Sequence, residues 1–314
     1  MTNNTMKRNT ILLLALLVCR MAVAQITDYS IFDKKLNFYV ANDMGRNGYY
    51  DQKTIADLMG AMAEKVGPEF VLATGDIHHF DGVQSTSDPL WMTDYELIYS
   101  HPEMMIGWHP VLGNHEYRGN TQAVLDYSGV SRRWDMPARY YTRRFCKKDV
   151  TMRVVWIDTT PLIGKYREES DEYPDACRQD VARQLAWADS VLAAATEDWV
   201  IVAGHHPVYA ETSKDESERG DMQARLDPIL RRHHVDMYIN GHIHNFQHIR
   251  MTDSDTDYIT NSAGALSRKV KPVEGTVFCS SEPGFSIVSA DKSTLCLYMI
   301  DRNGNIIHTV KRRK

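Results

Sequence analysis

Short apolar runs alternate with longer segments of helical periodicity through most of the chain. The runs contain four to seven residues and are rich in Val, Ile and aromatic side chains, which is typical of buried strands. They are Leu36–Asn42, Glu69–Thr74, His109–Leu112, Met152–Ile157, Trp199–Ala203 and Val235–Asn240. Lys53–Val66 and Val181–Ala195 repeat apolar residues at every third or fourth position and predict helices, with Asp51 and Asp180 at their N-terminal ends. This alternation predicts an α/β fold.

The pattern changes after about Thr256, where apolar runs follow one another without helical segments. Gly284–Ala290, Thr294–Ile300 and Ile306–Lys311 are separated by short clusters of turn-forming residues. These runs predict strands that complete a sheet by antiparallel pairing. No internal repeat, low-complexity stretch or linker interrupts the chain, so a single domain over residues 25–314 is expected.

The N-terminus has the features of an export signal. Lys7 and Arg8 precede the apolar run Ile11–Cys19, and Ala22-Val23-Ala24 then supplies small residues at a cleavage site. The apolar run is too short to span a bilayer. We therefore predict a signal peptide over residues 1–24, a secreted or periplasmic protein, and no stable membrane anchor after cleavage. The alternative is an uncleaved N-terminal anchor.

Composition and charge narrow the class of protein and its partners. The 314 residues are 43% hydrophobic and 25% charged, which is ordinary for globular proteins and excludes disordered and fibrous chains. The formal net charge is −5, and the one long basic run is Lys311–Lys314. A nucleic-acid partner is not expected, because binding to a phosphate backbone favours a positive surface.

Four cysteines follow the predicted signal peptide. They are Cys146, Cys177, Cys279 and Cys296. In an oxidising compartment an even number permits disulfides, with three possible connectivities. The alternative is four buried free thiols.

Residues that can bind metals follow five of the predicted strands. They are Asp43, Asp76 with His78 and His79, Asn114 with His115, His205 with His206, and His242 with His244. Seven of the 13 histidines lie in these short loops. The carboxyl ends of strands in an α/β sheet form the crevice where ligands bind. Carboxylate, imidazole and amide donors suit Mn, Fe and Zn, so the sequence predicts a metal site at this rim.

The same loops indicate two metal ions rather than one. A dinuclear centre needs a carboxylate that bridges two cations about 3.5–4 Å apart. Asp76 is the natural bridge, since its loop lies between the others in order and carries nearby histidines. His242 and His244 stand two apart in an extended segment, so each can serve one metal.

These motifs, in this order, resemble the calcineurin-like metallophosphoesterases. The closer resemblance is to the tartrate-resistant (purple) acid phosphatase branch. The Gly-Asp-Trp-Gly motif of that branch is similar to Asn42–Gly45 here. The resemblance covers about residues 36–310. The motifs that carry it are Gly75-Asp76, Gly113-Asn114-His115-Glu116, Gly204-His205-His206-Pro207 and Gly241-His242-Ile243-His244. The resemblance implies a single calcineurin-like domain, in which a sandwich of two mixed β-sheets is flanked by helices.

The resemblance also implies two metal ions per chain, iron paired with iron, zinc or manganese. The first metal would take Asp43, Asp76, His79 and His244, and the second would take Asp76, Asn114, His205 and His242. Every ligand position except position 79 carries the residue type that the family uses.

His79 is where the chain departs from the purple enzymes. They carry a tyrosine three residues after the bridging aspartate, and its phenolate binds ferric iron and gives the colour. A neutral imidazole favours ferric iron less than an anionic phenolate does, so we expect a colourless centre with two divalent metals. The alternative is that His78 is the ligand and His79 only orients it.

The activity implied by the resemblance is hydrolysis of phosphate monoesters of small substrates, a phosphoric monoester hydrolase. A metal-bound hydroxide would attack phosphorus, with His115 as proton donor to the leaving group. His206 is a second candidate, as general acid or as a hydrogen-bond donor to phosphate. Each of these two histidines could instead only hold a ligand loop.

Other functions remain open. A phosphodiesterase or nucleotide hydrolase could use the same dinuclear site, and a non-enzymatic binding protein could share the fold. The polar segment Glu211–Asp221, which follows the His205 loop, is either a lid over the crevice or a solvated surface loop.

Overall fold

The computed structural model describes residues 24–26 and 28–314, in which fourteen strands form two seven-stranded sheets. The first sheet, in spatial order, contains β1 (Ala24–Gln25), β14 (Asn305–Arg313), β13 (Thr294–Asp301), β12 (Gly284–Ala290), β2 (Leu36–Ala41), β3 (Phe70–Ala73) and β4 (Gly107–Pro110). The second contains β11 (Thr276–Ser280), β9 (Phe246–Arg250), β10 (Asp257–Thr260), β8 (Met237–Asn240), β7 (Trp199–Ala203), β6 (Val150–Trp156) and β5 (Tyr141–Lys147).

Both sheets are mixed. Strands β2, β3 and β4 are parallel in the first sheet, as are β6, β7, β8 and β10 in the second. Antiparallel pairing of β12, β13 and β14 completes the first sheet, as the closing apolar runs predict. The helices are α1 (Gln52–Val66), α2 (Thr121–Asp126), α3 (Gly164–Glu168), α4 (Val181–Ala193), α5 (Glu216–Arg225) and α6 (Asp227–Arg232). The predicted class, two mixed sheets flanked by helices, is confirmed.

One continuous hydrophobic core joins the two sheets. Phe70 of β3 stacks on Phe145 of β5 with 4.1 Å between the ring centroids. Trp156 of β6 donates its indole N–H to the carbonyl of His109 in β4 at 3.0 Å. Aromatic rings with one polar atom can fill such a core while that atom finds a backbone partner. These contacts bring the ends of the parallel strands of both sheets to the same edge of the molecule.

The two predicted helices form with small differences at their ends. The carboxylate of Asp180 caps α4 by accepting a bond from the N–H of Arg183 at 2.9 Å. Asp51 precedes α1 without a side-chain cap and instead forms an ion pair with Arg302 at 3.3 Å. Helix α4 ends two residues before the predicted Ala195, within the usual variation of helix ends.

One predicted strand is displaced. The expected strand His109–Leu112 is found as β4 at Gly107–Pro110, and all four of its residues pair with β3. The N–H of Val111 still donates to the carbonyl of Ala73 at 2.9 Å, and the strand ends there. The apolar residues Val111 and Leu112 are still buried, but in the turn that leads to the predicted metal loop.

The predicted signal peptide, residues 1–24, lies outside the described residues apart from Ala24. Within the ranges 24–26 and 28–314, the structure has no helix with the length and apolar character that a bilayer span requires.

All four cysteines outside the predicted signal peptide carry free thiols. Cys146 and Cys177 are exposed, Cys279 is half-buried, and Cys296 is buried. Of the two alternatives, the structure therefore shows free thiols, although only one of the four is buried.

Candidate metal centre

The loops after the parallel strands of both sheets meet in one crevice. Strands β2, β3 and β4 lead into the loops of Asp43, Asp76 and Asn114, and β7 and β8 lead into those of His205 and the pair His242 and His244. All six side chains are buried. Because the carboxyl ends of parallel strands meet at one edge, residues separated by up to 201 positions become neighbours here.

A first cluster forms around Asp43. Its Oδ1 lies 3.2 Å from Nε2 of His244. Asp43, His79 and His244 each present a donor atom, and these atoms lie within 4.8 Å of one another. Neither ring nitrogen of His79 has a hydrogen-bond partner within the described residues, although the ring is buried. A buried imidazole without a partner is costly, so this ring is suited to a ligand that the protein itself does not supply.

A second cluster shares Asp76 with the first. His205 Nε2 lies 3.2 Å from Asp76 Oδ2 and 3.1 Å from Nδ1 of His242. The same carboxylate oxygen lies 4.0 Å from Nε2 of His79 in the first cluster. Asp76 therefore stands between the two groups of donors, where a bridging carboxylate is needed.

Asn114 stands beside the Asp76 carboxylate. The N–H of the following residue, His115, donates to Asp76 Oδ1 at 3.0 Å. Gly113, on its other side, packs so closely that a Cβ there would overlap Asp76 Oδ1. The Asn114 amide oxygen is buried and accepts no hydrogen bond within the part of the chain that is described. It is therefore a free donor atom in the loop that contacts Asp76.

Fixed tautomers aim the metal-facing nitrogens of three histidines. His205 and His244 donate from Nδ1 to the carbonyls of Thr74 and Leu266, at 2.8 and 2.7 Å. His242 instead donates from Nε2 to the Glu218 carboxylate at 2.9 Å. A carbonyl or carboxylate can only accept, so in the neutral ring the opposite nitrogen keeps its lone pair. Those opposite nitrogens are the ones that face the aspartates or each other.

The charges of the crevice favour a bound cation. Burial alone would raise the pKa of Asp43, but His244 beside it lowers that pKa below its usual value. Burial disfavours charge on His205, but the carboxylates of Asp76 and Asp43 raise its pKa to about 9. The two carboxylates thus stabilise the protonated form of His205, whose proton is on Nε2. A metal ion bound at Nε2 can supply the same positive charge in place of this proton. The donors present fit a pair of metal ions.

The backbone at the donor residues is strained. Asp43, Asp76, His242 and His244 all have positive φ, between 51° and 73°. This left-handed region is uncommon for residues other than glycine, and each instance costs on the order of 1 kcal/mol or more. Such strain persists where the surrounding structure holds a side chain in a required position, and it tends to occur at functional sites.

Gly75 and Gly241 show two reasons for glycine in these loops. Gly75 turns the chain, since its φ is 89°. At Gly241 the need is space instead, because a Cβ would lie 2.5 Å from Oδ2 of Asp43. A sharp turn thus explains Gly75, while close approach explains Gly241.

Glu116 connects two of the metal loops, a role that the sequence analysis missed. Its carboxylate accepts backbone N–H bonds from Asp76 at 2.9 Å, His78 at 3.0 Å and Gly113 at 2.7 Å. Burial, together with the charge of Asp76, raises the pKa of Glu116 to about 7. The signal available was its place in the Gly-Asn-His-Glu motif, where only the preceding residues received a role.

His78 and His79 point to different surroundings. His78 Nδ1 lies 3.4 Å from Asp94 Oδ2, and its ring packs edge-on against Trp91. His79 lies instead in the cluster with Asp43. The geometry therefore favours His79 over the alternative ligand His78.

His115 lies at the edge of the crevice. Its Nδ1 donates to the carbonyl of Phe80 at 2.7 Å, and its Nε2 lies 3.9 Å from Oδ2 of Asp76. The side chain is 20% exposed, whereas that of His79, with a ring centroid 4.7 Å away, is fully buried. His115 can therefore exchange a proton with solvent and present it to the crevice.

His206 is fully buried beside His205 and His242, and a ring nitrogen of each of the three lies within 4.8 Å of the others. Its ring centroid lies 4.3 Å from that of His242. Thr159 Oγ1 accepts the backbone N–H groups of His205 and His206, both at 3.1 Å, and lies 2.9 Å from His206 Nδ1. With both lone pairs used, the hydroxyl must donate to Nδ1. Neutral His206 therefore carries its proton on Nε2, which has no partner within the described residues.

The segment Glu211–Asp221 packs against the second cluster rather than forming a free loop. Lys214 Nζ lies 3.2 Å from His242 Nδ1, and Glu218 accepts from the other nitrogen of the same ring. Glu218 also accepts bonds from Lys165 and Tyr166, at 3.2 and 3.1 Å. The sequence analysis assigned no role to Lys214 or Glu218, although they stand four apart just after a predicted ligand loop.

Comparisons with known proteins agree with this arrangement. The model of the calcineurin-like phosphoesterase family matches residues 36–246. Purple acid phosphatase 3 of Arabidopsis thaliana is 30% identical over 294 residues, covering 89% of this chain and 78% of the relative. Tartrate-resistant acid phosphatase type 5 of Oryctolagus cuniculus is 34% identical over 217 residues, covering 67% of this chain and 65% of the relative.

Solved structures share the fold at lower identity. GAP50, described as the anchor in the inner membrane complex of Plasmodium, has a TM-score of 0.75 at 24% identity and covers 89% of both chains. The purple acid phosphatase PPD1 from yellow lupin seeds has a TM-score of 0.65 at 14% identity, covering 89% of this chain and 54% of that one. The family match and the sequence relatives show that the chain belongs to the calcineurin-like phosphoesterase family, in the branch of the purple acid phosphatases.

Proposed function

We propose that this protein is a dinuclear metal-dependent phosphatase that hydrolyses phosphate monoesters. The first metal would be held by Asp43, Asp76, His79 and His244, and the second by Asp76, Asn114, His205 and His242. The observation that carries the proposal is the position of Asp76, whose carboxylate lies within 4.0 Å of donor nitrogens in both clusters. When bound, the metal pair would neutralise the negative oxygens of the phosphate and activate water for in-line attack on phosphorus.

Cations around the crevice favour a monoester. Arg46 and Lys214 lie close enough to Asp43 and Asp76 for their charges to interact, and both are also near Arg268. A phosphate monoester dianion carries one more negative charge than a diester, so these cations stabilise it more strongly. The relatives are named acid phosphatases, which supports the same substrate class.

The two remaining histidines take different roles in this proposal. His115 is the proton donor, since the bond from Nδ1 to Phe80 fixes its orientation and leaves Nε2 facing Asp76. His206 is a neutral N–H donor whose Nε2 can bind an oxygen of the phosphate. His206 is fully buried and cannot take up a proton from solvent, whereas His115 is 20% exposed and can. The tautomer imposed by Thr159 therefore favours hydrogen bonding by His206 over proton donation.

We also propose that the protein is exported. The basic residues, short apolar run and small residues near the N-terminus support this, and nothing in the proposed chemistry requires a cytoplasmic partner.

Purified protein tests the proposal directly. We expect elemental analysis to find two metal ions per chain, and chelation to abolish activity until metal is restored. The kcat/KM should be higher for nitrophenyl phosphate than for bis-nitrophenyl phosphate. A preference for the diester would favour the phosphodiesterase, and protein that binds fewer than two metals without activity would favour a binding function.

The residue at position 79 should decide the colour of the iron-loaded protein. We expect wild-type protein to be colourless, and His79→Tyr to gain a visible charge-transfer band, because a phenolate would then reach ferric iron. His78→Tyr is the matched control and should stay colourless, since His78 contacts Asp94 and Trp91 instead. Absorption spectra after iron loading provide the measurement. A purple wild-type protein would contradict the assignment of His79.

A further inference from the structure

Lys214 makes an unusual contact for a lysine, because its ammonium group meets a histidine nitrogen that carries a lone pair. His242 donates from Nε2 to Glu218, so in the neutral ring the lone pair is on Nδ1. Lys214 Nζ lies 3.2 Å from that Nδ1 and can only donate. The contact is therefore an N–H···N hydrogen bond from a cation to the imidazole.

The same lone pair is the one that the second metal would use. His242 Nδ1 lies 3.1 Å from His205 Nε2. The proton on His205 Nε2 is accepted by the Asp76 carboxylate at 3.2 Å, so it does not occupy the lone pair of His242. The other nitrogen of His242 is committed to Glu218, whose second oxygen is held by Lys165 and Tyr166. The ring therefore cannot turn over to offer Nε2 to the metal without breaking these bonds.

One lone pair forms one such bond at a time, so the lysine and a metal exclude each other at His242 Nδ1. We propose that Lys214 competes with the second metal for His242 Nδ1 and thereby sets how tightly that metal binds. The inference rests on the proposed dinuclear centre. The donors Asp43, His79 and His244 of the first metal make no hydrogen bond with Lys214 in the described part of the chain, so Lys214 acts on that metal only through its charge and the effect should be smaller.

Displacement of Lys214 requires movement of a side chain, not of the segment that carries it. Glu211 exchanges two backbone hydrogen bonds with the side chain of Gln247, at 2.7 and 2.8 Å. Asp215 caps the start of α5 by accepting from the N–H of Ser217 at 2.9 Å. The backbone on both sides of Lys214 is thus anchored, while the lysine side chain has four rotatable bonds with which to leave Nδ1.

If Lys214 weakened metal binding only by repelling the metal's charge, removal of another nearby cation should strengthen binding equally. Arg268 also lies near the crevice, close to both Lys214 and Arg46. Its described contact with a predicted ligand is through the backbone, where its N–H donates to the carbonyl of His244 at 2.7 Å. Removal of the Arg268 charge therefore measures the general electrostatic effect without freeing a ligand nitrogen.

The test is a calorimetric titration of metal-free protein with Zn²⁺, with the bound zinc counted by elemental analysis. We expect Lys214→Met to bind the second Zn²⁺ at least about tenfold more tightly than wild type, because a charge-assisted hydrogen bond no longer competes. The first dissociation constant should stay within about twofold. Arg268→Met should change the second constant by less than about threefold, and Lys214→Arg, which keeps a cationic donor, should resemble wild type.

The alternatives give separate results. An unchanged second dissociation constant in Lys214→Met, or an equal gain in Arg268→Met, would overturn the competition while leaving the dinuclear centre intact. Failure of wild type and both methionine variants to bind two Zn²⁺ would overturn the proposed centre as well. If Lys214→Met does not fold, Lys214→Leu also removes both the charge and the donor and must show the same gain.

Discussion

Replacement of Asp76 with asparagine is expected to lower kcat/KM for a phosphate monoester by at least about a thousandfold, or about 4 kcal/mol in transition-state stabilisation. The carboxylate reaches His205 at 3.2 Å and His79 at 4.0 Å, so it serves both clusters. An amide is neutral and offers a single oxygen, whereas a bridge between two cations needs an anion with two. We expect the metal content to fall below two ions per chain, as measured by elemental analysis.

Loss of activity in this variant should not reflect loss of the fold. Burial alone would raise the pKa of Asp76, but His205 and His115 beside it lower that pKa, so the fold favours the charged carboxylate. Metal-free Asp76→Asn loses the ion pair with His205 at 3.2 Å and should unfold at a somewhat lower temperature than metal-free wild type. Circular dichroism should still show a native spectrum and one cooperative unfolding transition.

Asp227 provides a matched control for the loss of a buried carboxylate. It accepts hydrogen bonds from Tyr209 at 2.9 Å and from Arg231 at 2.6 Å. These partners belong to neither cluster of predicted ligands. Asp227→Asn should lose stability and keep two metals with near-normal kcat. If Asp76→Asn kept both metals and most of its activity, the bridging assignment would be wrong.

The strands that lead into the site were predictable because they are buried on both faces. Strand β7 appears at the predicted bounds, Trp199–Ala203, and β2 appears at Leu36–Ala41, one residue shorter than predicted. Strands β9, β10 and β11 were not predicted individually. In β9 the buried Gln247 and His248 are polar, so burial does not appear as an apolar run. Their burial depends on partners from other elements, such as Asp257 for His248 at 2.8 Å.

The donor residues of the candidate site were predictable for a related reason. The carboxyl ends of parallel strands lie at one edge of the sheet, so the loop that follows each strand must also lie at that edge. The residues that orient those donors were not predictable in this way. Glu218 reaches His242 from α5, and Thr159 reaches His206 from the loop after β6. Both contacts depend on packing between distant segments, which no local spacing encodes.

The His115→Asn variant should separate proton donation from loop anchoring. The asparagine amide can still donate to the carbonyl of Phe80, which His115 reaches from Nδ1 at 2.7 Å, but it has no proton to give from the position of Nε2. For an alkyl phosphate, whose leaving group must be protonated, we expect kcat to fall by about 100-fold or more. For nitrophenyl phosphate, whose leaving group is a stable anion, the fall should be less than about fivefold.

To compare His115→Asn with wild type, kcat is measured for a series of phosphate monoesters whose leaving groups differ in basicity. A steeper dependence in His115→Asn than in wild type shows that the missing group gives a proton in the transition state. His115→Ala also loses the bond to Phe80, so it should add a loss shared by all substrates. Equal losses for alkyl and nitrophenyl esters in His115→Asn would instead show that the imidazole gives no proton in the transition state and only positions the loop that carries Asn114.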